Sequence, residues 1–143
     1  MTAQGHLDIL DRSVEKAYVW VNDLAAELGT TDRHEAYRVL RAFLHALRDR
    51  LPVTEAAQLS AQLPLLIRGI FFEGWQPSRT PLHYRDPREL LERVAGEGRL
   101  HGDTEASFAV AAAARVLARH VTKGEIDDVL RTLPDELRTL VGG

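Results

Sequence analysis

The chain has 143 residues, 45% of them apolar, a formal net charge of −3 and no cysteine. That length suits one helical domain with a core of its own, and the missing thiols exclude disulfides and cysteine nucleophiles. The mild acidity does not favour nucleic acid, and the most apolar run, residues 63–72 with Arg68 inside it, is about half of the roughly twenty residues a bilayer requires.

A long first helix is predicted from Leu7, Leu10, Val14, Ala17, Val21, Leu24 and Leu28, which step by three or four residues along one face. Gly29 ends it, and Asp32 caps a second helix striped by Ala36, Leu40, Phe43, Leu47 and Leu51 and stopped by Pro52. Thr54 is the expected cap of a short third helix that ends near Ala61. Pro64 suits the first turn of a fourth, which Gly74 closes. The stretch WQPSRTPLHYRDP then reads as a linker, because Pro77 and Pro81 bar regular structure.

Asp86, Pro87 and Glu89 have the pattern of cap, first position and capping-box acid for a fifth helix, whose apolar face is Leu90, Leu91 and Val94. A sixth helix is expected over about 104–121 with Phe108, Ala112, Val116 and Leu117 inward, after an entry at Asp103 or Thr104. Thr122 and Glu125 have capping-box spacing for a seventh helix; Pro134 opens an eighth, and Gly142 and Gly143 end it. No segment alternates with period two over a strand's length, so the fold class is all-α.

Shifted by 70 residues, the chain lies over itself without a gap. Leu63-Pro64 meets Leu133-Pro134, Arg68 meets Arg138, Glu27 meets Glu97, Glu55 meets Glu125 and Leu47 meets Leu117. The expected architecture is therefore two tandem, pseudo-symmetric four-helix units, 8–74 and 82–141, joined by the linker 75–85 and packed around a shared core. The Ala-rich run at 109–115 reads as close helix packing, with Phe43 and Leu44 of the first unit filling complementary space. The fourth helix is apolar nearly all round, whereas its counterpart carries Asp135 and Glu136 opposite Leu65 and Leu66. Such a helix is buried on more than one side, inside the molecule or against another chain. Leu65, Leu66, Phe72 and Trp75 are accordingly the candidate interaction surface. Trp75, between a helix-ending glycine and a proline-rich stretch, is expected to be largely buried and to tie the linker to both units.

Catalytic constellations are not found: there is no Glu-x-x-His, no His-Glu-x-x-His and no Gly-rich phosphate loop. HGDTE at 101–105 reads as a helix entry rather than a metal site, and Glu73 with His83 is the one conceivable acid/base pair near the linker. No catalytic, cofactor-binding or metal-binding residue is assigned. Arg38, Arg41, His45 and Arg48 lie along one face of the second helix, spaced three, four and three. That stripe reads as a solvated face with intrahelical ion pairs, or alternatively as contacts to nucleic-acid phosphates.

The segment ALRDRLPVTEAAQLSAQLPLLIRGIFFEGWQP at 46–77 resembles the bacterial family known as domain of unknown function 2267 (DUF2267). The likeness is carried by Leu47 to Leu51, by Gln62-Leu63-Pro64, by Arg68-Gly69 followed by two aromatics and Glu73-Gly74-Trp75, and later by Gly124-Glu125-Ile126 and Leu133-Pro134. The resemblance implies a small helical bacterial protein and supplies no activity, cofactor or site residue. An excess of arginine over lysine, 16 to 2, fits a GC-rich bacterial genome. With a polar stretch after Met1 in place of a signal peptide, a cytoplasmic protein is expected. The expected function is a non-enzymatic protein-interaction module whose partner is another protein or a second copy, with no membrane. A nucleic-acid-associated protein is the alternative and an enzyme with a site near the linker is third.

Overall fold

Punctuation in the sequence sets the helix ends. In the computed structural model, which describes residues 7–142, the helices are α1 (Asp8–Leu28), α2 (Arg33–Arg50), α3 (Val53–Ser60), α4 (Leu65–Phe72), α5 (Pro87–Gly98), α6 (Gly102–His120), α7 (Lys123–Arg131) and α8 (Asp135–Gly142). One 3-10 turn, Pro77–Arg79, sits in the linker, and no strand occurs among the described residues. The reading of the chain's first residues as free of a signal peptide, and of Gly143 as a terminator, lies outside the described residues. Gly29 takes φ 73°, the left-handed conformation that a helix stop needs, and its N–H reaches back to the α1 carbonyls. Asp32 and Asp86 accept from the N–H groups of His34 and Arg88, and Thr122 accepts from that of Glu125.

Several expected ends move. Pro52, not Thr54, precedes the first residue of α3: its extended backbone turns the chain into the helix, and Thr54 lies exposed one position inside. Pro64 stands just before α4 rather than in its first turn. α6 begins at Gly102, so neither Asp103 nor Thr104 caps it; the Glu105 carboxylate accepts from the His101 N–H instead. Phe108 is exposed rather than inward, because the buried face of α6 runs through Ala106, Ala109, Val110, Ala113, Val116 and Leu117.

The Leu-Pro-x-x-x-Arg spelling has a direct structural meaning. Arg68 folds back along α4 to donate to the carbonyls of Ser60 and Leu63, and Arg138 folds back along α8 to the carbonyl of Leu133. Each arginine thus satisfies a carbonyl of the turn that feeds its own helix.

α2 runs through the middle. It packs against α1, α4, α5 and α6, and every residue from Ala42 to Arg48 is buried. α6 packs on α1, α5 and α8, and one apolar core joins Leu24, Leu40, Phe43, Leu59, Phe71, Leu90, Val110 and Leu137. The helix buried on all sides, over residues 42–48, is therefore α2, not α4. α4 buries Ile67 and Phe71 and leaves Leu65 and Leu66 exposed. Half of the α1 stripe also misses the core: Leu7, Leu10 and Val14 are exposed, and burial begins at Trp20. Among the described residues, none buries that end of the helix. The alanines of α6 do not all close onto a neighbour; Ala111, Ala114 and Ala118 line an apolar pocket of about 200 Å³ with Ile126, Leu130 and Gly142.

α3 and α7 meet on the flank. The Gln62 side chain bonds both the hydroxyl and the N–H of Thr122, at 3.1 and 2.9 Å. Beside it the Glu125 carboxyl, 7% exposed, pairs with that of Glu55, and the Oε2 atom of each is sequestered without a partner of its own. Burial, the Glu55 carboxyl and Asp128 push the Glu125 carboxyl from 4.5 up to about 8. A group whose folded-state value is raised stabilises fully below its unfolded value, and that contribution is lost as pH rises through the folded one. Stability should thus fall between about pH 4.5 and about pH 8. Glu125→Gln should flatten that slope and exceed the unaltered chain in stability at pH 8; thermal melts across a pH series check this.

Candidate functional site

The residues with the densest polar chemistry sit where the last turn of α4 meets α2 and α5. A helix leaves its final carbonyls without intrahelical partners, and α4 ends against apolar surroundings where water cannot serve them all. α2 supplies the donors. Arg48, only 4% exposed, donates through Nη1 to the carbonyls of Phe71 (2.9 Å) and Glu73 (2.7 Å) and through Nε to Asp49 (2.8 Å). Buried His45 lies 2.7 Å from the Ile70 carbonyl through Nε2, and its Nδ1 is 2.7 Å from Glu97 of α5. Both ring nitrogens face acceptors. One turn earlier, Arg41 bridges two elements, donating to Glu73 at 2.8 Å and to Glu97 at 2.7 Å. The Arg41 guanidinium holds the Glu73 carboxyl below the usual range, and Glu73 in turn raises Arg41. Positive charge at the negative end of the α4 dipole is favourable as well.

This overturns the reading of His45 and Arg48 as part of a solvated face, although Arg48 does pair within its own helix, with Asp49. The three, four, three spacing does put them on one side of α2, but that side is covered by α4 and α5. Arg38, half-buried with its Nε sequestered from any partner, completes the row. Glu97 was missed from the sequence. Its one signal was the 70-residue shift, which sets it opposite Glu27; Glu27 is the carboxylate that takes Arg115 at 2.8 Å and also Arg119, and these two hold its carboxyl below the usual range.

The linker is pinned by residues the sequence did not single out. Arg50 donates to the Tyr84 carbonyl at 2.9 Å, the Leu82 N–H donates to the Asp49 carbonyl at 2.8 Å, and the Tyr84 ring lies within 5.7 Å of both Arg50 and Arg93 guanidinium carbons. Burial pushes the Tyr84 hydroxyl up to about 12. Trp75 contributes less than expected: it is half-buried, its ring centred 4.9 Å from that of Phe72 and its indole N–H sequestered without a partner. The cleft beside the linker is walled by Asp49, Gly74, Gln76, Arg79, Thr80 and Arg93, and the exposed His83 is not among its walls. Glu73 is taken by Arg41, so the proposed Glu73–His83 acid/base pair is not assembled.

Of the other candidates, Leu65 and Leu66 are 54% and 42% exposed. Leu66 borders a shallow apolar groove with Tyr37, Gly69, Ile70 and half-buried Phe72, and Glu73 stands at its rim. Among the described residues no cluster of three metal-ligating side chains is present, and no helix is long and apolar enough to cross a membrane.

Fold and site together define an all-helical protein whose polar cluster serves a helix end and whose apolar surplus lies outside. Residues 17–140 match the family described as "Uncharacterized conserved protein (DUF2267)", and the chain belongs to that family. No curated protein matches it.

Arg48→Ala should strand the carbonyls of Phe71 and Glu73 and cost roughly 2–4 kcal/mol in a urea titration, whereas Arg41→Ala, at a more exposed pair, should cost about 1 kcal/mol or less. Trp75→Ala, at a half-buried site, should lower stability by about 2 kcal/mol, with a matching drop in melting temperature.

Proposed function

We propose that this protein is a non-enzymatic interaction module of the bacterial cytoplasm that binds another protein through the outward face of α4. The observation that carries the reading is the pair Leu65 and Leu66, adjacent, large and exposed on a helix whose other apolar residues are buried or half-buried. The groove walled by Tyr37, Leu66, Ile70 and Phe72 has the shape that takes an apolar side chain from a partner, with aromatic rings as anchors. Beneath it, the Arg48 and His45 bonds fix the end of α4, so the surface is held rigid before it binds.

The same reading takes the scaffold as two tandem units, 8–74 and 82–141, joined by the linker 75–85. Several pairings support it. Arg68 serves Leu63 as Arg138 serves Leu133, and Glu97 takes His45 as Glu27 takes Arg115, each set offset by 70 residues. α2 lies on α5 as α6 lies on α1, and the matched carboxyls Glu55 and Glu125 meet each other where α3 packs on α7. On this reading the second unit, with Asp135 and Glu136 in place of Leu65 and Leu66, is the solvated copy and the first is the binding one.

The test compares the unaltered chain with a Leu65→Asp/Leu66→Asp double variant. Both substituted side chains are exposed, so stability should change by no more than about 0.5 kcal/mol for each. A protein captured from the source bacterium and then purified should bind the double variant at least about tenfold more weakly by calorimetry. Equal affinity for both forms would remove α4 as the binding face.

A further inference from the structure

We propose that the pocket between α6, α7 and α8 is a binding site for a small, flat apolar molecule that carries an N–H donor at its edge. Its walls are Ala111, Ala114 and Ala118 of α6, Ile126 and Leu130 of α7 and Gly142 of α8, around about 200 Å³. The Gly142 backbone closes one side, where a Cβ would stand 3.1 Å from Leu130. Arg115 is the one charged residue on the wall, and its Nε is drawn off to Glu27 at 2.8 Å. An apolar space of roughly 150 Å³ holds benzene, so this pocket has room for a fused pair of rings and is too small for a larger ligand.

The end of α4 shows what the pocket lacks. α8 lies on α6 as α4 lies on α2. Beside α4 the chain fills the space with its own residues. The rings of Phe71 and Phe72 meet edge to face, Leu44 is buried, and Arg48 donates to the carbonyls of Phe71 and Glu73. Seventy positions on, Val141 and Gly142 stand for the two phenylalanines, Ala114 for Leu44 and Ala118 for Arg48. Ile126 and Leu130 are larger than their counterparts Ala56 and Ser60 and return only part of that volume. The pocket is the remainder.

The same changes leave a helix end without donors. The last carbonyls of α8 have no intrahelical partners, and among the described residues no side chain donates to them. The side chains of Arg138 and Thr139 bond the carbonyls of Leu133 and Asp135 instead. The negative end of the helix dipole favours a donor at that place and opposes an anionic head. A flat ring with an N–H at its edge supplies both things that the first unit draws from Phe72 and Arg48. The walls of the pocket stand as observed, and the class of its occupant rests on the tandem reading of the scaffold.

Indole is the probe. Titrated into the isotope-labelled full chain, it should shift backbone NMR resonances of α6, α7 and α8 and saturate with a dissociation constant of about 0.1–1 mM. Ala114→Leu places the first unit's residue on a half-buried wall, and Ala118→Arg places its donor at an exposed position. Each should weaken indole at least about tenfold while melting as one cooperative unit. Indene, the same shape without the N–H, should bind at least about threefold more weakly than indole. The Leu65→Asp/Leu66→Asp variant should bind indole as the unaltered chain does, which separates this site from the α4 face. The absence of saturable shifts up to about 5 mM indole, shifts centred on the α4 groove, or unchanged affinity in either pocket variant overturns the site. Indene bound as tightly as indole overturns the donor and the comparison between the two units that suggested it.

Discussion

The bonds from Arg48 to the carbonyls of Phe71 and Glu73 set the plan of the molecule. α2 is the central helix, and a central helix is normally apolar on every side. Here it carries His45 and Arg48 into the interior because a neighbouring helix, α4, ends there and its carbonyls need donors. A buried guanidinium is costly unless it is fully bonded, and Arg48 has two carbonyls and a carboxylate to bond. The constraint runs outward from that point. Arg48 fixes the end of α4, Arg41 ties the same end to Glu97 of α5, and the two residues after Arg48 hold the linker that leads into α5.

The surface follows from the same arrangement. With its last turn drawn onto α2, α4 presents Ile67 and Phe71 inward, and an eight-residue helix has no other way to turn Leu65 and Leu66 than outward. Phe72, with the Trp75 ring tilted against it, lines the groove beside Leu66. The polar seam and the apolar face are two sides of one helix, which is why residues that look like a phosphate-binding stripe end up supporting an apolar surface.

Most helix ends were legible because they depend on local chemistry. Gly29, Asp32, Asp86 and Thr122 act within a turn of themselves, and each does what its residue type dictates. Thr54 was misread because Pro52, two residues earlier, had already turned the chain into α3. The apolar stripes of α2 and α5 were legible too, since a neighbour covers their whole length. The α1 stripe was read correctly as a helix face and incorrectly as a core face over its first half, because periodicity reports which side is apolar and not whether anything lies opposite. Phe108 failed for a related reason: a large apolar residue on an alanine-rich helix looks inward, yet the buried face of α6 runs through Ala106, Ala109, Val110 and Ala113 and leaves position 108 in solvent.

The sequence by itself determined the all-helical class, the family, the helix boundaries to within a residue or two at most ends, and the Leu-Pro-x-x-x-Arg punctuation that closes a turn upon its own arginine. These rest on hydrogen bonds between residues close in the chain, or on the 3.6-residue period. Only the tertiary structure decided that Arg41, His45 and Arg48 face inward, that Glu97 answers them, that Glu55 and Glu125 share one site, and that α2 rather than α4 is enclosed. Each of those depends on which helix end or carboxylate arrives from tens of residues away, and a charge written in a sequence carries no record of whether it will meet water or a carbonyl.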